Sequence, residues 1–409
     1  MPTEPDQTQP KDAETIREPV PRYRAYTGPA ILSRGFRPFF LLAGVWAPMA
    51  LGIFLSAFFG HIVLPSAMDA FAWHAHEMLF GFVAAAVAGF LLTAIPNWTG
   101  RLPLQGRPLL ALVALWIAGR LAVAVSAWTG AWLAALVDLS FLAALVCVIV
   151  REIVAGRNWR NLPIVTAVLL LLVTNALSHA QTIGMLNQTG LAERCAIAVM
   201  AGLITLIGGR IVPSFTHNWL ANKNAAKLSA RSSAIDYFAL ALALLALARW
   251  ALEPEGELTG LVAGLAAAAN LVRLVRWRGW LTLSEPLVWV LHLGYLWIVI
   301  GLALIGVAAT NDIVPASGAI HALTAGAMGT MTLAVMSRAA LGHSGEALVA
   351  GVLLTLAFLL VTLAAMTRVG AAVWDDTTIE LLMVSGAAWV AAFGCYLIAL
   401  GPLMFCARR

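Results

Sequence analysis

Trp73-His74-Ala75-His76-Glu77 opens a stretch that runs on without a charge through Met78-Leu79-Phe80-Gly81-Phe82-Val83 and Ala84-Ala85-Ala86-Val87-Ala88-Gly89-Phe90-Leu91-Leu92-Thr93-Ala94-Ile95 to Pro96. At a rise of ~1.5 Å per residue, such a run crosses the ~30 Å hydrocarbon layer of a bilayer as one helix. The same ruler finds further runs, so twelve spans are expected, starting near residues 38, 73, 108, 131, 164, 193, 235, 258, 286, 317, 347 and 379. Composition agrees. The chain is 61% hydrophobic and 11% charged, against roughly one quarter charged in a soluble domain. The expected fold class is all-α, a polytopic membrane helix bundle of about twelve transmembrane helices with the lipid bilayer as its solvent.

Charge gives an expected orientation. With the N-terminus inside, the 25 Lys and Arg residues fall on the cytoplasmic side except Arg120, Arg194, Arg249 and Arg368. Arg273, Arg276 and Arg278 are read as one cytoplasmic loop, while Glu253, Glu255 and Glu257 collect in a loop opposite. That bias predicts an N-in/C-in topology. The basic residues are scattered singly, so the net charge of +5 points to topology and not to nucleic acid. Residues 1–30 are Pro-rich with alternating charge and are expected to form a disordered cytoplasmic tail. Residues 31–409 form the transmembrane helical domain. The first apolar run is long enough to span, so no cleavable leader is expected. The four cysteines lie far apart and none sits in a CxxC or CxxCH string, which argues against covalent haem attachment and a zinc knuckle.

An imidazole in hydrocarbon is costly, and several at one depth suggest a metal. His74 and His76 open the second span at its external end, and His321 opens the tenth. His179 lies roughly 10 Å below the external end of the fifth at helical rise. Residues two apart on a regular helix point to opposite faces, so His74 and His76 serve one metal only if the first turn unwinds. Glu77, three residues from His74, shares its face and is expected to orient it. His321, Ala325 and Met328 form one stripe, with Gly326 and Gly329 allowing close approach of a neighbour or a flat macrocycle. A single intramembrane histidine often makes only an interhelical hydrogen bond, and Met328, Met331 and Met336 are read as core packing. Arg120 and Asp138, each about 10 Å deep on adjacent helices, are expected to pair. The strings Pro96-Asn97-Trp98-Thr99-Gly100, Gly208-Gly209-Arg210-Ile211-Val212-Pro213-Ser214 and Ser337-Arg338-Ala339-Ala340-Leu341-Gly342-His343 are read as tight turns at the cytoplasmic ends of the second, sixth and tenth spans.

Ser33-Arg34-Gly35-Phe36-Arg37-Pro38-Phe39-Phe40, the stretches Trp73 to Gly81 and Gly89 to Gly100, Gly208 to Thr216, His292-Leu293-Gly294-Tyr295, and the run from His321 to His343 together resemble the NnrS family. The resemblance extends from about residue 33 to the C-terminus. It implies a multi-pass protein of the bacterial inner membrane that contains haem and copper and is linked to nitric oxide metabolism and nitrosative stress. Turnover, sensing and buffering of nitric oxide are all compatible with it, and it names no electron donor.

On this footing a non-covalent haem b is expected in the external half of the bundle, with His76 and His321 as ligands. His74 and His179 are the candidates for copper. His292 is a candidate for either site or a separate polar contact, and Arg120 has propionate binding as its alternative role. The competing class is a transporter, or a non-catalytic sensor, using the same histidines. Broken helices at mid-depth would favour transport, and Pro48 and Asn175 are the expected interruptions.

Overall fold

The computed structural model describes residues 26–188, 190–223, 233–311 and 314–406. The expected tail, residues 1–30, lies outside them up to residue 25. Among the described residues there is no strand, and twelve helices are long and apolar enough to cross a membrane. They are α1 (Phe36–Phe58), α2 (Ala70–Thr99), α3 (Arg107–Ala124), α4 (Ala131–Ala155), α5 (Trp159–Ile183), α6 (Leu191–Asn222), α7 (Ala234–Leu252), α8 (Glu257–Arg276), α9 (Pro286–Ala308), α10 (Ala316–Ser344), α11 (Val352–Gly370) and α12 (Thr378–Phe405). The apolar runs predicted these starts to within a few residues.

Three expected turns are helix instead. The string at 208–214 lies inside α6, that at 337–343 inside α10, and Pro96–Thr99 completes the last turn of α2. In hydrocarbon a freed backbone N–H or C=O finds no water, so continuing the helix is the cheaper course. Only Gly100, at φ 70°, ends α2 in the left-handed turn that favours glycine. Pro48 and Asn175 likewise sit inside unbroken helices.

Four helices form the interior. Of their apolar windows, 78% of α2, 67% of α10 and 61% each of α6 and α9 is buried, against 33–39% for the other eight. The outer helices α3, α4 and α5 follow one another along one flank, α7 and α8 cover α6 and α9, and α12 packs on both α11 and α1. Lipid offers no hydrophobic gain for helix association, so close contact of small residues carries it. At α8–α9, a Cβ on Gly306 would stand 3.2 Å from the backbone nitrogen of Gly264.

α2 and α10 share an irregularity that α6 lacks. Each begins with a short α segment ending on a histidine, Ala70–His76 and Ala316–His321. Each then loosens into a π-helix, Glu77–Val83 and Ala322–Gly329, before returning to α geometry. π segments are rare and concentrate at functional sites. A glycine in each meets an indole: Cβ atoms on Gly81 and Gly326 would come within 2.5 Å of Trp46 and Trp297.

Candidate metal and ligand centre

The Asp69 carboxylate caps α2, accepting from the backbone of Phe71 at 2.9 Å and Ala72 at 3.0 Å. The first turns of α2 are thereby fixed, and His74 and His76 point into different surroundings.

His76 enters a fully buried polar cluster. Its Nδ1 donates to Glu77 Oε1 at 3.2 Å and its Nε2 to Asn175 Oδ1 at 3.0 Å, with Asp138 Oδ2 at 3.2 Å. Glu77 Oε2 accepts from the Trp46 indole at 2.8 Å and from Arg120 Nη1 at 2.7 Å. Arg120 Nη2 donates to Asp138 Oδ1. Asp138 Oδ2 accepts from Asn175 Nδ2 at 2.8 Å and His179 Nε2 at 3.0 Å. Both nitrogens of His76 face oxygens that only accept, so the two hydrogen bonds together require an imidazolium. Its charge and that of Arg120 then balance Glu77 and Asp138. With His76 neutral, the set would hold one excess negative charge.

The expected Arg120–Asp138 pair is present, with Glu77 as a second carboxylate that sequence reasoning assigned elsewhere. Glu77 serves His76, not His74, because α geometry gives way to π at Glu77 and the spacing of three no longer marks a shared face. Both terminal nitrogens of Arg120 are spent on carboxylates of its own chain, which makes it an internal counter-ion. As for a metal, His76, Asp138 and His179 each offer a ligand atom, and the three atoms lie within 4.8 Å of one another.

His74 faces the other way, onto a cavity of about 1520 Å³ lined by residues of α1, α2, α5, α6, α7, α9, α10, α11 and α12. Its ring stacks on Phe54, centroids 4.2 Å apart, and its buried Nδ1 has no hydrogen-bond partner. His321 lines the same cavity. Its Nδ1 donates to the Ser317 carbonyl at 2.8 Å, which selects the tautomer with a lone pair on Nε2. This is the arrangement by which metal-ligating histidines are usually oriented. Ala325 and Met328 line the wall beside His321, so the expected stripe faces the cavity. Gly326 and Gly329 face Trp297 and Trp389, the neighbouring helices. Typical small-molecule pockets measure roughly 300–1,000 Å³, so a flat macrocycle fits this volume. His74 and His321 are the residues on its wall that would hold the metal of such a group.

The histidines therefore pair differently from expectation. His76 neighbours His179, ring centroids 5.1 Å apart, while His74 shares its cavity with His321.

His292 belongs to neither group. It lies toward the opposite end of the bundle and donates from Nε2 to Thr216 Oγ at 2.8 Å, a separate polar contact. Close by is a second buried network that sequence reasoning missed. Arg273, expected in a loop, sits buried in the last turn of α8. It donates to Asp236 at 3.2 Å and to the Tyr295 hydroxyl at 2.8 Å, which in turn donates to Asn270 at 2.7 Å. The signal was Gly209: a Cβ there would collide with the Arg273 guanidinium.

A comparison with curated proteins found no match. Across protein families, the one described as NnrS protein matches residues 30–408, nearly the whole chain and every span. The chain belongs to the NnrS family.

Proposed function

We propose that this protein is a haem- and copper-containing membrane protein of nitric oxide metabolism or nitrosative stress resistance, working in the bacterial inner membrane. The observation that carries the haem reading is that His74 on α2 and His321 on α10 line one large cavity, the first with an Nδ1 that has no hydrogen-bond partner and the second with its Nδ1 held by the Ser317 carbonyl. His74 and His321 are the proposed haem b ligands. Were haem bound there, it would supply a redox-active iron whose potential the surrounding side chains tune. Nitric oxide, small and apolar, can enter from lipid.

Copper is proposed at His76 and His179 with Asp138. The cluster lacks one positive charge when His76 is neutral. A cuprous ion, singly charged and suited to imidazole, matches that count as well as a proton does. Glu77 and Arg120 would then hold His76 and Asp138 in place and would not ligate. By the positive-inside bias, the His74 end of the bundle faces the periplasm and both termini the cytoplasm, with residues 1–30 as a tail before the bundle.

The test is the optical spectrum and metal content of the protein purified in mild detergent. A Soret band that persists through purification, with copper in the same preparation, is expected. Protein free of both would overturn the proposal and favour a transporter using the histidines transiently. Consumption of added nitric oxide by the reduced protein then separates turnover from sensing.

A further inference from the structure

Arginine stays charged in a protein, so each buried guanidinium needs a counter-charge or acceptor. Arg120 has Glu77 and Asp138, and Arg273 has Asp236. Arg37 donates to the carbonyls of Leu403, Met404 and Cys406 at the end of α12. Arg249, half-buried, pairs with Glu253 at 2.5 Å, and Arg194, on the same cavity wall as Arg368, donates to the Ala251 carbonyl at 3.2 Å.

Arg368 differs. It lies in the last turn of α11, partly buried on the cavity wall, and makes no hydrogen bond, ion pair or ring contact among the described residues. No carboxylate of the described residues is an electrostatic neighbour of it. Its charge is felt instead by His74 and His321. Three acids also line the cavity. Asp69 is held by the α2 cap, Glu193 on α6 keeps a buried Oε2 without a partner, Glu255 lies in the loop before α8, and none of the three is paired with Arg368. A lone guanidinium beside two imidazoles is therefore left facing a space sized for a ligand. A planar guanidinium is matched by carboxylate-type oxygens, which it binds through two parallel N–H bonds.

We infer that Arg368 holds an anionic group of the molecule that occupies the cavity, either a carboxylate of a bound macrocycle or a small oxyanion of nitrogen. For haem this rests on the function proposed above, and it deepens it. The propionate role left open for Arg120 passes to Arg368, since Arg120 is already neutralised by its own chain. Arg368 is a positioning residue for the macrocycle, setting which edge faces α11 while the histidines take the iron.

The experiment compares wild type, Arg368→Gln and Arg368→Lys, checked for folding by size exclusion in detergent. The probes are haem b, haem b dimethyl ester and nitrite. With haem b, Arg368→Gln is expected to bind at least about tenfold more weakly than wild type, with Arg368→Lys recovering most of the loss. With the ester, which has no acid groups, all three should bind alike. If wild type and Arg368→Gln hold both haems equally, Arg368 is no anion site and the haem reading survives. If wild type holds neither haem, the haem reading fails. Nitrite then decides: a rise in Tm for wild type but not for Arg368→Gln supports the small-anion form, and no rise in either overturns the site.

Discussion

His74 and His76 stand two residues apart and meet opposite fates. His76 enters a cluster in which nearly every polar atom has a partner inside the protein, while His74 meets a cavity where its Nδ1 has none. Each environment also has an arginine, and the contrast repeats. Arg120 is clamped by two carboxylates, and Arg368 by none among the described residues. A buried polar group left unpaired costs free energy, a cost the His76 cluster largely avoids and His74 does not. The closed cluster holds helices α2, α3, α4 and α5 together. The open one is where the proposed ligand would bind.

The first way to break this comparison is Asp138→Asn. It removes one of the two carboxylates on Arg120 and weakens the acceptor for His179 and Asn175. Removing one partner of a buried ion pair costs about 3–5 kcal/mol. Folded yield and resistance to denaturing detergent should fall sharply, with haem content per folded molecule preserved. Equal stability with loss of haem would mean the cluster, not the cavity, is the ligand site.

Gly81→Ala is a smaller probe of the same side. Its Cβ would meet Trp46 Nε1 at 2.5 Å and Glu77 Oε2 at 2.8 Å. Overpacking of this kind costs about 1–3 kcal/mol, read as a lower Tm, again with the cavity intact. Undiminished Tm would show that the Trp46–Glu77 contact does not anchor the cluster.

The sequence made some of this legible and hid the rest for identifiable reasons. The spans follow from apolar run length. The Arg120–Asp138 pair follows from depth on adjacent helices, because a charge in lipid has few other options. That His74 and His76 diverge also follows, from helical phase alone. Their partners do not. The π segments after His76 and His321 shift the phase of everything beyond, and a period of 3.6 cannot track them. Glu77 was matched to the wrong histidine for that reason. Arg273 was hidden by its place at the end of an apolar window, where a buried and a loop arginine look alike. Only its fit against Gly209, on a distant helix, tells them apart.

The most direct test counts haem per chain in purified His321→Ala beside His179→Gln. His321 makes one local bond to its own helix, so its removal should leave the fold intact and strip the haem. His179→Gln should keep haem near the wild-type ratio while losing copper or stability. Full haem occupancy in His321→Ala, with haem lost from His179→Gln, would contradict the division into an open and a closed histidine site.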